Sequence, residues 1–178
     1  IPFLTCKHTL AHCLGYADRA RELGFEALVV LGGDRQVGAP RCVEHSWELR
    51  VQIRERQPDL LLGGWANPAR DPAAQVGYLL APHATADFYL TQIVSHHDPT
   101  PVARFLDEGR RRELTTPGLF GVFYYRSANP RTLATLSRFL DVPAEALTRE
   151  FEAGATAEEG CACTIRALLD LGARHFYV

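Results

Sequence analysis

The chain predicts an α/β fold of the (β/α)8 barrel, or TIM-barrel, class, and three observations carry that prediction. Short apolar runs alternate strictly with amphipathic stretches, the pattern of right-handed βαβ units sharing a parallel sheet. A polar or glycine-rich motif closes nearly every apolar run: Thr5-Cys6, Gly32-Gly33-Asp34, Trp65-Ala66-Asn67, Thr91-Gln92 and Tyr124-Tyr125. In a barrel those strand ends converge on one mouth, where the active site lies. The phosphate fingerprint of a doubly wound sheet is missing, because the Gly-Gly-Asp-Arg-Gln-Val-Gly run at 32–38 is not G-x-G-x-x-G. An open six-stranded sheet is the alternative.

The elements follow in order. Residues 1–6 read as the first strand. Leu10, Leu14, Ala17, Arg21 and Leu23 recur at near-helical spacing, and Gly24 ends that helix. The second strand covers 27–31; Val43, Trp47, Val51 and Arg54 then mark a helix face that Pro58 closes. The third strand covers 60–65, a helix 72–80, and the fourth strand 87–94. A helix over 101–112 turns Val102, Phe105 and Leu106 inward before the fifth strand at 119–125. Three helical stretches follow, at 131–140, 144–151 and 157–171. The last carries Cys161, Ile165, Leu168 and Leu169 on one stripe and Gly172 as its C-cap, and residues 174–178 form the sixth strand. Six strands do not close an eight-stranded barrel. The expectation is therefore strands three to eight of a barrel, one domain over 1–178, with the first two βα units absent from this chain.

Composition narrows the function. With 178 residues, 47% of them hydrophobic, the chain can bury one sizeable core. A net charge of -2 offers no basic surplus for nucleic acid or a membrane surface. No apolar run approaches the roughly 20 residues that cross a bilayer. Five cysteines without a scaffold-like spacing point to a reducing cytoplasm.

The strand-end motifs, taken in order, resemble those of the methylenetetrahydrofolate reductase family. "FLTCKHT" is similar to that family's third strand and the turn after it, and "LVVLGGD" to its fourth, which ends in an Arg-Gly-Asp-like tripeptide. "DFYLTQI" is similar to its sixth strand, "GVFYY" stands in place of its seventh, and "ARHFYV" resembles its eighth. The resemblance implies a (β/α)8 barrel that reduces 5,10-methylenetetrahydrofolate to 5-methyltetrahydrofolate. It makes Asp34 the catalytic-site carboxylate that holds the pterin, since two acceptor oxygens match the adjacent N–H donors of the ring. Gly32 and Gly33, without Cβ atoms, would let a flat ligand approach the backbone there. Gln92 is the second substrate-binding residue, able to donate and accept at a pterin edge; alternation allows only one of Thr91 and Gln92 to point into the barrel. Tyr177, and one of Tyr124 and Tyr125, taken as Tyr125, are candidate aromatic covers for the substrate. Thr5 and Trp65, at their strand ends, are assigned to the cofactor.

The flavin-binding positions of the family are replaced together. Phe3 stands where the family has His, Gly32 where it has Arg, and "WANP" at 65–68 where it has Tyr-Pro-Glu; the stretch at 79–92 has no Lys or Arg. A doubly anionic FAD pyrophosphate needs cationic or N–H partners. The implied reductase therefore takes hydride directly from NADH or NADPH, with FAD disfavoured. The family's general acid belongs to its first strand, outside the six strands read here. The alternatives are a non-catalytic folate-binding relative or a subunit completed by another chain, a flavin-dependent member of the family, and an unrelated corrinoid or pterin methyltransferase barrel.

Other clusters read as structural. Cys6, His8, His12, Cys13, Cys42 and His45 match no zinc spacing, so no metal site is expected. His96-His97-Asp98, near the mouth, reads as a solvated turn, with lining the site as the alternative; Cys161 and Cys163 read as small side chains buried on opposite helix faces; and Arg110-Arg111-Arg112 reads as a solvated helix end, with a polyglutamate folate tail as its alternative partner.

Overall fold

A computed structural model describes all residues 1–178. Six strands and seven helices follow in the order β1 (Phe3–Thr5), α1 (Leu10–Glu22), β2 (Ala27–Leu31), α2 (Ser46–Arg56), β3 (Leu61–Ala66), α3 (Pro72–Leu80), β4 (Phe88–Val94), α4 (Thr100–Arg111), β5 (Gly118–Val122), α5 (Pro130–Leu136), α6 (Ala144–Glu152), α7 (Ala157–Leu171) and β6 (His175–Tyr177). The strands form one sheet in the order β1-β2-β3-β4-β5-β6. Pairing is parallel, with Phe3 opposite Val29, Ala27 opposite Leu61, and Gly121 opposite Tyr177. A doubly wound sheet reverses its strand order at a switch point. No reversal occurs in this order.

Two compact units divide the chain. One comprises residues 1–66, 77–90 and 115–117; the other comprises 67–76, 91–114 and 118–178. In the first, Leu28 and Val30 of β2, Leu62 of β3 and Leu4 of β1 are buried with Cys13 and Ala17 of α1 and Leu49 and Ile53 of α2. Alternation along the strands and 3.6-residue spacing along the helices bring those residues to one core. Thr9 caps α1, its hydroxyl accepting the His12 N–H at 3.3 Å, and Gly24, at φ 83°, follows the helix in the left-handed region. Arg50 is buried in this unit. Its guanidinium donates to the Ala84 carbonyl from Nη2 at 2.6 Å and to the Ser46 hydroxyl at 3.3 Å, and burial lowers its pKa to about 10.

In the second unit Phe120 and Val122 of β5, Val102 and Phe105 of α4, Leu147 of α6 and Leu168 of α7 are buried. Thr156 and Glu159 form a reciprocal capping box at the start of α7, and Gly172, at φ 103°, caps its end.

Several element boundaries are corrected. β5 stops at Val122, so Tyr124 and Tyr125 lie in the loop beyond it and strand alternation does not sort them. Helix α5 ends at Leu136 rather than at 140, and α2 begins at Ser46, leaving Val43 in the preceding loop. Cys163 is exposed and Cys161 half-buried, so the two are not buried on opposite faces of α7.

Candidate functional site

The C-terminal end of β2 carries the glycine-glycine-aspartate motif, and the chain satisfies it locally. Asp34 is exposed, and its Oδ1 accepts the Gln36 backbone N–H at 2.7 Å, an Asx-type turn. The guanidinium of Arg41 lies where a side chain on Gly32 would be, its Cζ 2.8 Å from that Cβ position. It donates to the Gly33 carbonyl and, at 3.2 Å, to the Glu44 carbonyl. Gly33 has φ 73°, and the Lys7 Cγ comes within 2.6 Å of its Cβ position. The space expected to admit a flat ligand is thus filled by Arg41 and Lys7. Neither cation was assigned a role from sequence, because each lies outside the strand that it covers. Thr5 is half-buried at the end of β1, and its carbonyl lies 3.7 Å from the Cys13 thiol. Trp65 stands 38% exposed on β3. Cys6 and Cys13 are core residues, pushed up to about 11 and about 12 by burial and by Cys42.

The C-terminal half of β4 presents a different arrangement. Thr91 is buried, its hydroxyl donating to the Gln92 carbonyl at 2.8 Å and accepting the Gly121 N–H at 3.1 Å. Gln92 is half-buried and lines a cavity of about 790 Å³ together with Asn67, Arg70, Ser95, His97, Asp98, Asp141, Glu145 and Arg149. That volume lies in the range of small-molecule and cofactor sites. The Gln92 Oε1 accepts the Ile93 N–H at 3.0 Å, which fixes the carbonyl end of the amide beside the strand.

The three tyrosines separate by contact. Tyr177 donates to the Thr91 carbonyl at 2.5 Å, and its ring lies against Gly121, whose Cβ position is 2.6 Å from the Tyr177 Cζ. Its hydroxyl serves the sheet, and burial pushes it up to about 12. Tyr125 is half-buried, is raised to about 12 by burial, then by Asp141, and packs at a tilt of 44° against Phe123 with ring centroids 4.7 Å apart. Tyr124 instead reaches out to donate to Glu158 of α7.

The residues that sequence reasoning undervalued are His96 and His97. They are half-buried rather than solvated, and they meet Glu150 of α6. His96 Nε2 lies 3.0 Å and His97 Nε2 3.2 Å from the same Glu150 Oε1. His96 Nδ1 lies 2.7 Å from the Thr164 hydroxyl, and His97 Nδ1 2.6 Å from the Ser95 hydroxyl. Burial, reinforced by His96, lowers the His97 pKa. Burial opposes the Glu150 carboxylate, yet the His96 hydrogen bond and the two imidazoles hold its pKa below the ordinary value. The adjacent histidines were the available signal; Glu150, 54 positions from His96, was not legible as their partner.

No family model matches the chain, and no curated protein matches it. Among solved structures it is similar to an uncharacterised protein from Clostridium thermocellum that binds two copies of 5-methyl-5,6,7,8-tetrahydrofolic acid. The TM-score is 0.68 at 16% identity, over 95% of this chain and 59% of that one. This establishes a shared fold, and the chain spans about three fifths of that protein's length. A weaker likeness, with TM-score 0.48 and 16% identity, covers 88% of this chain and 17% of a Rhizobium etli pyruvate carboxylase.

Proposed function

We propose that the chain binds a reduced folate, as a divergent member of the methylenetetrahydrofolate reductase family and as strands three to eight of its barrel. The observation that carries this reading is Gln92, from the family-like Thr-Gln pair, on the wall of a cavity large enough for a folate. The fold shared with a 5-methyltetrahydrofolate-binding protein supports the same ligand class. The cavity also carries both signs of charge that a folate needs. Arg70 and Arg149 suit the glutamate carboxylates, while Asp141 and Glu145 can accept N–H donors of the pterin.

The reaction follows from the resemblance. Opening the methylene bridge of 5,10-methylenetetrahydrofolate breaks the C–N10 bond and leaves an iminium carbon on N5. NADH or NADPH would supply the hydride that turns this carbon into the methyl group of 5-methyltetrahydrofolate, and N10 would take up a proton. Thr5 and Trp65 are the residues that the resemblance assigns to the nicotinamide cofactor. Asp34 retains Oδ2 as an acceptor, since the Asx turn uses only Oδ1.

The test is titration of the chain with 5-methyltetrahydrofolate, followed by an assay of NADH oxidation with 5,10-methylenetetrahydrofolate. Saturable binding, weakened about tenfold by Gln92→Leu in a protein of unchanged fold, is expected; loss of one buried amide contact is worth about 1.4 kcal/mol. Folded wild-type protein that does not bind 5-methyltetrahydrofolate overturns the reading. Binding without turnover favours the non-catalytic folate-binding alternative.

A further inference from the structure

We propose that His96, His97 and Glu150 form a three-ligand site for a borderline divalent transition-metal ion, of which Zn2+ is the type. All three ligand atoms lie within 4.8 Å of one another. Ligand atoms about 2.0–2.1 Å from a tetrahedral zinc stand about 3.3 Å apart. The two imidazole-to-carboxylate separations, 3.0 and 3.2 Å, lie close to that spacing.

The hydrogen bonds behind the cluster point the same way. Thr164 Oγ1 donates to the Gly160 carbonyl at 3.2 Å, so toward His96 Nδ1, 2.7 Å away, it offers a lone pair. The tautomer with the ring proton on Nδ1 fits that arrangement and turns the lone pair of Nε2 toward Glu150 Oε1. In that tautomer two acceptors face each other at 3.0 Å, and a cation held between them satisfies both. A metal ion shared with His97 is such a cation. His97 Nε2 is buried and makes no hydrogen bond of acceptable geometry, although the carboxylate is near. Its Nδ1 lies against the Ser95 hydroxyl, so each ring is backed by a hydroxyl that orients it, as hydrogen-bond partners orient metal-bound imidazoles.

Room exists for an ion. A cavity of about 20 Å³ is lined by His96, His97 and Glu150 as well as Tyr125 and Thr164, enough for a single water-sized species. Two imidazoles and one carboxylate leave a fourth position open for water or an incoming ligand oxygen. His97 also lines the 790 Å³ cavity, which places such a ligand beside the proposed folate site. The metal site does not depend on that folate reading.

The experiment uses the purified chain, stripped with a chelator and titrated with Co2+, then with Zn2+ in competition. One Co2+ per chain is expected, with d–d absorption bands of nitrogen and oxygen ligation that Zn2+ abolishes. Glu150→Gln, which keeps the side-chain shape, is expected to weaken binding at least tenfold, and Cys163→Ser to leave it unchanged. Zn2+ is also expected to shift the ring-nitrogen resonances of His96 and His97 in the wild-type protein, a readout that survives if a variant misfolds. Absence of binding, unperturbed histidine resonances, or a thiolate-to-Co2+ charge-transfer band overturns the proposal; the last would assign the metal to the cysteines instead.

Discussion

The ends of β2 and β4 carry motifs of equal promise in the sequence, and the protein treats them in opposite ways. At the end of β2, Gly33, Asp34 and Arg41 are bound into their own loop, by an Asx turn and by a guanidinium donating to two carbonyls. At the end of β4, Thr91 takes up the local hydrogen bonding, and Gln92, Ser95 and His97 line a large cavity. The difference lies in how far away the partners are. The β2 motif meets residues no more than ten positions from it, apart from Lys7. The β4 segment meets Gly121, Glu150 and Thr164, between 30 and 68 positions away. A motif satisfied by its own loop is stable there without a ligand, whereas one completed by distant helices can enclose one.

Substitutions can break or sharpen that contrast. The largest effect is expected at Gly121, where an added Cβ would lie 2.5 Å from the Tyr177 hydroxyl and 3.0 Å from Ile93 Cδ1. Gly121→Ala should cost about 3 kcal/mol in denaturant unfolding, the upper range for overpacking a core. A loss below about 1 kcal/mol would mean that Tyr177 is free to move, and would return it to the list of ligand-covering aromatics.

Alkaline pH should come next. Burial raises both Tyr177 and Tyr125 from 10.0 to about 12, so each binds its proton more tightly folded than unfolded. Their contribution is complete below pH 10 and is lost as pH rises from about 10 to about 12. Thermal unfolding across that window should show a falling Tm, and Tyr177→Phe should flatten part of the fall.

A smaller cost is expected at the other strand end. Gly33→Ala meets a φ of 73° and the Lys7 side chain, but that side chain is flexible, so the loss should be about 1–2 kcal/mol by thermal denaturation. The smallest change in stability belongs to Asp34→Ala, which removes one exposed turn hydrogen bond and should cost less than about 1 kcal/mol. Its effect on 5-methyltetrahydrofolate affinity decides more. A tenfold or greater weakening would show that Asp34 serves the ligand as well as its loop; unchanged affinity would leave the carboxylate role to Asp141 or Glu145.

Much of the fold was legible because it rests on local rules. Alternating apolar runs and helical stripes located all six strands and all seven helices, and Gly24 and Gly172 marked helix ends through the left-handed conformation that glycine tolerates. The candidate site was legible only in part. Gln92 could be singled out because the Thr91-Gln92 pair resembles a family motif and an amide can both donate and accept. The role of His96 and His97 could not, since it depends on α6 returning Glu150 to them across a separation that no short-range pattern records.

Sequence by itself determined the parallel α/β class, the order of the elements and the polar character of the strand ends, because hydrophobic period and turn chemistry act over a few residues. Only the tertiary structure decided which polar residues are spent on their neighbours and which line a cavity. That choice depends on contacts between residues distant in the chain: Arg41 and Lys7 covering two glycines, Tyr177 filling the space over Gly121, and Glu150 meeting a pair of histidines.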